Sequence, residues 1–342
     1  MAQDDDQVTI RVGAVSAYAI DAAGGPRKFM ADLENVASGL PLVDPGAHEL
    51  SRMGFAPFVR DMPAFIPLPD GAGGAVRVGM HRKVIPAGAV VAEIERRCDE
   101  IEAKTGARPK SSLRKTIREA VLHDFCAKAL HVTRYCHVLV DVKHARLFVI
   151  GASTSFADEV VAMIYDKVEG CCFHPDLAPP DMEIAFASTA RSLLMEAAGI
   201  TLPGGLAVGI AEKAKFVNSG SGESMTLACR KDGHSVSESD AAQAAIRNGY
   251  EGTMARLVAS DAARGLLLYM DLSEKGKISG LCVRRAVDSD DDVAVGGLTE
   301  LSARTLEWLT ACQMAAAVVQ GLFPGSEQEG FGQDEGGREE AA

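Results

Sequence analysis

The stretch CHVLVDVKHARLFVIGA, Cys136 to Ala152, decides the fold class. Residues 136–142 and 146–152 are rich in β-branched and apolar side chains and are joined by a short polar turn around His144, so they read as a hairpin. Helical patterns stand on both sides. Upstream, Val90, Ile94, Cys98 and Ile101 recur at helical spacing until Gly106. A second helix follows, with Ser111 or Ser112 as its cap and Leu113, Ile117, Val121, Phe125 and Leu130 along its apolar face. Downstream, Ser155 and Asp158 resemble a capping box ahead of Val160, Val161, Ile164 and Val168. Helices set around an antiparallel hairpin define an α+β protein.

Working outward, residues 8–20 read as a strand and residues 26–37 as a helix. Residues 39–75 are rich in proline and turn signals, so irregular backbone is expected there, up to a short strand at residues 75–80. Beyond the Pro179-Pro180 turn the patterns read strand (182–187), helix (188–198), strand (206–210), strand (225–231) and helix (239–248). Strands at 252–259, 265–272 and 277–286 and a final helix over 298–321 complete the series. The expected organisation is a central α+β region (8–83 and 132–180), a helical projection (84–131), a C-terminal α+β region (181–323) and an acidic disordered tail (324–342).

Composition narrows the function. The chain has 342 residues, 24% of them charged, and a formal net charge of −12. Between residues 104 and 134 the balance reverses: Lys104, Arg108, Lys110, Arg114, Lys115, Arg118, Lys128 and Arg134 face Glu119 and Asp124, eight positive charges against two negative. Cationic charge concentrated in this way suits contact with phosphates, although a solvated helix face accounts for the same residues. Arg230 and Lys231 form a second small basic feature at a strand end. No run approaches the ~20 apolar residues of a membrane-spanning helix, and the N-terminus has no signal-peptide pattern. Eight cysteines without a CxxC pair read as reduced thiols, so a cytoplasmic protein is expected.

Catalytic motifs are not evident. Gly220-Ser221-Gly222 lacks the lysine of a phosphate loop, no GxSxG elbow or HExxH helix occurs, and residues 288–292 read as an acidic loop. His123, Cys126, His131, Cys136 and His137 have metal-binding chemistry, but their spacing repeats no close ligand pair, so no metal and no cofactor are assigned.

Six segments, in order, carry a resemblance. They are MGFAPF (53–58), KVIP (83–86), REAVLHDFCAKAL (118–130), VLVDVKHARLFVIGAS (138–153), RKDGHSVSESDAAQAAIRNG (230–249) and LLLYMDLSEKGKISGL (266–281). Together they make the chain similar, from about Val8 to Phe323, to the bacterial recombination-associated protein RdgC family. The resemblance implies an elongated, multi-part subunit with antiparallel sheets and a projecting helical pair, forming a ring-shaped homodimer. It implies a non-enzymatic, nucleoid-associated protein that encircles or coats DNA, duplex or single-stranded, and restrains a RecA-type recombinase. DNA contacts then fall to the eight cations of the basic block, to Arg230 and Lys231, and to Leu130, which stands where the family places an aromatic on a finger-like projection. Lys231 and Asp232 take the place of the polar and basic pair on the family's second finger. The rival reading is an acidic regulator that binds a recombination or replication protein through its surface, with little affinity for DNA.

Overall fold

The computed structural model describes residues 7–177, 179, 181–195, 199–218, 220–228, 235–286 and 297–324. The described residues divide into two compact units, one of residues within 17–174 and 297–306 and one of residues within 7–16, 175–286 and 307–324. Strand β1 (Gln7–Ala22) contributes its first half to one and its second half to the other.

In the unit that holds residues 17–174, β1 is followed by α1 (Gly25–Gly39), β2 (Ser51–Ala56), β3 (Phe65–Pro67) and β4 (Gly73–Lys83). Then come α2 (Ala87–Thr105), α3 (Ser111–Lys128), β5 (His131–Asp141), β6 (Arg146–Ile150), α4 (Thr154–Lys167) and β7 (Cys171–Pro175). The strand order is β1-β6-β5-β4-β2, with β3 on β4 and β7 on β1. The hairpin expected at 136–152 is β5 and β6, paired from His137 opposite Ile150 to Asp141 opposite Arg146. Buried Asp141 shapes its turn: Oδ1 accepts from the backbone N–H groups of Lys143 and His144, and Oδ2 lies 2.7 Å from His144 Nδ1. One face of this sheet packs Val76, Val78, Val138, Val140, Leu147 and Val149 against Phe29 and Leu33 of α1 and Phe156, Val160 and Ile164 of α4.

Three sequence expectations for this unit change. The stretch 39–75 is not irregular throughout, because β2 and β3 both pair with β4. Both strands are short and flanked by turn residues, so partners distant in sequence stabilise them and local pattern does not reveal them. The N-cap of α3 is Lys110, which makes no side-chain capping bond, and Ser111 lies inside the helix. The cap of α4 is Ser153, whose Oγ accepts from the Phe156 N–H, two residues earlier than the Ser155 and Asp158 box.

The other unit contains α5 (Met182–Met195), β8 (Ile200–Thr201), β9 (Leu206–Asn218), β10 (Ser224–Ala228), α6 (Asp240–Arg247), β11 (Tyr250–Asp261), β12 (Leu266–Ser273) and β13 (Ile278–Ala286). Helix α7 (Leu298–Leu322) begins in the first unit and ends in this one. The order is β10-β9-β11-β12-β13-β1, with β8 on β9. The strand expected at 182–187 is the start of α5 instead: Met182, Phe186, Ala190, Leu193 and Leu194 are buried at helical spacing, a period that a six-residue window is too short to expose. The strand expected at 225–231 runs, among the described residues, from 224 to 228. The acidic tail beyond Pro324 and the 288–292 acidic run lie outside the described residues.

Candidate nucleic-acid interface

Helices α2 and α3 carry most of the basic block, and a small apolar core holds them together. Val90 and Cys98 of α2 pack with Ile117 and Val121 of α3, flanked by Ile94, Ile101, Leu122 and Phe125. Gly106 closes α2 in the left-handed conformation (φ 71°), a backbone shape that a Cβ would strain. At the other end of the pair the Val84 N–H donates to the Leu130 carbonyl at 2.9 Å, so β4 enters α2 and α3 leaves into β5 through one rung of the ladder.

The cations divide into two groups. Arg108 and Arg114 both grip Glu95 of α2, Arg108 at 2.7 Å. Lys104, Lys110, Lys115, Arg118, Lys128 and Arg134 are exposed and, among the described residues, form no salt bridge. Lys115 and Arg118 are one helical turn apart on α3, Lys104 and Lys128 lie in the last turns of α2 and α3, and Arg134 stands on β5. Free, hydrated ammonium and guanidinium groups of this kind bind phosphate oxygens without first breaking an internal pair.

Sequence reading centred on residues 104–134 missed the acid on α2. Glu93 accepts from Arg96 and Arg97, and Arg97 also reaches Asp124 of α3 at 2.7 Å. These guanidinium groups push the Glu93 carboxyl down to about 2 and hold Asp124 below the usual carboxylate range. Counted over both helices, residues 87–128, nine cations stand against seven carboxylates, so the pair is mildly basic and its free positive charge sits on one subset of side chains. The signal was available in the i, i+3 and i, i+4 spacing of Glu93, Arg96, Arg97 and Glu100.

Two residues of the expected apolar face of α3 are exposed. Leu113 is 44% exposed, and Leu130, two residues beyond the helix end, is 85% exposed. Arg230, Lys231 and Asp232 lie outside the described residues.

The five residues weighed as metal ligands separate. His123 stacks on His48 with ring centroids 3.6 Å apart, Cys126 Sγ donates to the Glu49 carbonyl, and His137 stacks on Phe58. Burial pushes the Cys136 thiol up to about 12, which leaves it inert. His131 turns instead toward His81 and Asp44. Most of the described cysteines are buried, and none of the described ones is in a disulfide; Cys172 is exposed.

The site thus lies in an antiparallel α+β protein whose helical pair presents exposed cations that, among the described residues, form no salt bridge. Comparison with known proteins gives its family. Residues 21–189 match the family model described as "Putative exonuclease, RdgC". Relatives called "Recombination-associated protein RdgC" include one from Xylella fastidiosa (strain M12), 29% identical over 182 residues, covering 52% of this chain and 58% of the relative. Another, from Xanthomonas oryzae pv. oryzae (strain PXO99A), is 27% identical over 167 residues, covering 48% and 52%. A third, from Xanthomonas campestris pv. campestris (strain B100), is 26% identical over 181 residues, covering 52% and 57%. Over the matched region the chain is a divergent member of the RdgC family, and the match spans little more than half the length of these relatives. Among the described residues no helix is long and apolar enough to cross a membrane.

Proposed function

We propose that this chain is a DNA-binding protein that coats or encircles duplex DNA without sequence preference, as a homodimeric ring, and restrains RecA-type recombination in the cytoplasm at the nucleoid. The observation that carries the reading is the set of exposed cations that, among the described residues, form no salt bridge: Lys104 on α2, Lys110 at the N-cap of α3, Lys115, Arg118 and Lys128 on α3, and Arg134 on β5. Contacts from such groups to phosphates fix position on DNA and carry no sequence information. Family membership and the relatives' recombination-associated name support the same reading. Ring closure, strand preference and the recombinase are part of the proposal.

The experiment is a gel shift with duplex DNA at low salt. Wild-type protein retards the duplex irrespective of sequence, and the K115E/R118E variant weakens binding about tenfold or more, since two phosphate contacts become repulsive. Unaltered binding by that variant rejects the interface. Non-enzymatic action is tested in the same tubes: with magnesium or manganese present the DNA stays full length, and progressive shortening from the ends establishes the exonuclease named in the family description.

A second reading, a regulator that binds a recombination protein through an acidic surface, draws on the net charge of −12 and on the Glu95 grip that removes Arg108 and Arg114 from the free set. Failure of the wild-type gel shift together with capture of purified recombinase selects it.

A further inference from the structure

We propose that Asp44, His81 and His131 form a binding site for a divalent transition-metal ion, with Zn²⁺ as the ion of matching chemistry. His81 Nε2 and His131 Nε2 lie 3.7 Å and 3.4 Å from the same oxygen, Asp44 Oδ1, and the three ligand atoms fall within 4.8 Å of one another. These separations are longer than hydrogen bonds, which close at about 2.7–3.2 Å. They fit ligands about 2.0–2.2 Å from a shared ion, which stand roughly 3.3 Å from each other in a tetrahedron. Two imidazole nitrogens and one carboxylate favour zinc and its neighbours over magnesium or calcium, which take oxygen ligands. Asp44 is exposed, so solvent can supply a fourth ligand.

The surroundings hold the ligands in place. His81 Nδ1 lies 2.8 Å from Thr133 Oγ1, an arrangement that lets Nδ1–H donate and leaves the Nε2 lone pair toward Asp44. In the β4–β5 ladder, His81 stands opposite Thr133 and Lys83 opposite His131, which puts both histidines on one face of the sheet. The loop that carries Asp44 is tied down across that face: Lys83 Nζ donates to the Gly46 and Ala47 carbonyls at 2.7 Å, and His48 stacks on His123. Its approach is so close that a Cβ on Gly54 would meet the Pro41 carbonyl oxygen at 2.8 Å, and one on Gly79 the Leu42 side chain at 2.5 Å. An ion here would clip the loop to the two strands that lead into α2 and out of α3. The inference does not depend on the DNA reading.

The test is a titration of the full-length, chelator-stripped protein with ZnSO₄ by calorimetry, repeated with CoCl₂ by visible absorption. One equivalent binds, and the cobalt form shows d–d bands without thiolate charge transfer. D44N and H131A, both at solvent-accessible side chains, lower the affinity about a hundredfold, and T133V, which removes the partner of His81, lowers it about tenfold. H174A, at an exposed histidine of β7 that takes no part in the site, leaves it unchanged, and circular dichroism verifies the fold of each variant. Absence of stoichiometric binding, binding equal in wild type, D44N and H131A, or a thiolate charge-transfer band overturns the site.

Discussion

At the scale of the residue, burial governs the titration of two histidines. His137 is held down to about 4, chiefly by desolvation and secondarily by the Arg77 cation, and His81 is lowered by burial in the same sense. A histidine with a depressed native pKa binds its proton more readily when unfolded, so its contribution is complete above 6.5 and is lost as pH falls toward 4. Two to three pKa units correspond to about 3 kcal/mol for His137. Urea unfolding at pH 7.5 and pH 4.5 measures this: wild type weakens with acid, and H137F shows a shallower fall over the same interval. Leu130 shows the opposite case, an apolar residue whose environment is set by where the helix stops. Helix α3 ends at Lys128, the Leu130 carbonyl accepts from Val84, and the side chain is left in solvent.

Elements owe their stability here to pairing across distance. The helical pair has a core of four buried residues, Val90, Cys98, Ile117 and Val121, and surface ion pairs such as Arg97 with Asp124 add only about 0–1 kcal/mol each. Truncating Ile117 to alanine therefore costs about 2–4 kcal/mol. The expected outcome is a lower thermal midpoint, together with weaker retention of duplex DNA, because the free cations lose their common scaffold. Normal stability in I117A would show that this core does not bear the pair. Sequence periodicity marked both helices within two residues of their observed bounds, yet it misassigned α5 and passed over β2 and β3. Long amphipathic helices carry several repeats of their own signal, whereas a three-residue strand such as β3 is defined by β4 alone.

For the whole molecule, overall charge and local charge oppose each other. A chain of net charge −12 that binds a polyanion must do so through a restricted patch, and its affinity should be strongly dependent on salt. Six free cations each meeting one phosphate give a slope of roughly −5 in log affinity against log salt. Fluorescence anisotropy with labelled duplex between low and physiological salt measures it, and a slope near zero excludes phosphate neutralisation as the source of binding. Light scattering tests the homodimer, which should have twice the chain mass alone and that mass plus one duplex when DNA is added.

Sequence by itself determined the α+β class, the β5–β6 hairpin, the helical pair and the existence of a concentrated basic block, because each is written in contiguous periodicity or charge. Only the tertiary structure decided which cations are free, since Glu95 on α2 takes Arg108 and Arg114, while Lys115 and Arg118 remain exposed. It alone brought Asp44, His81 and His131 together. Pairing of β4 with β5 and the crossing of the 41–50 loop place residues from three distant segments around one point, a proximity fixed by hydrogen-bond register and glycine-permitted contact.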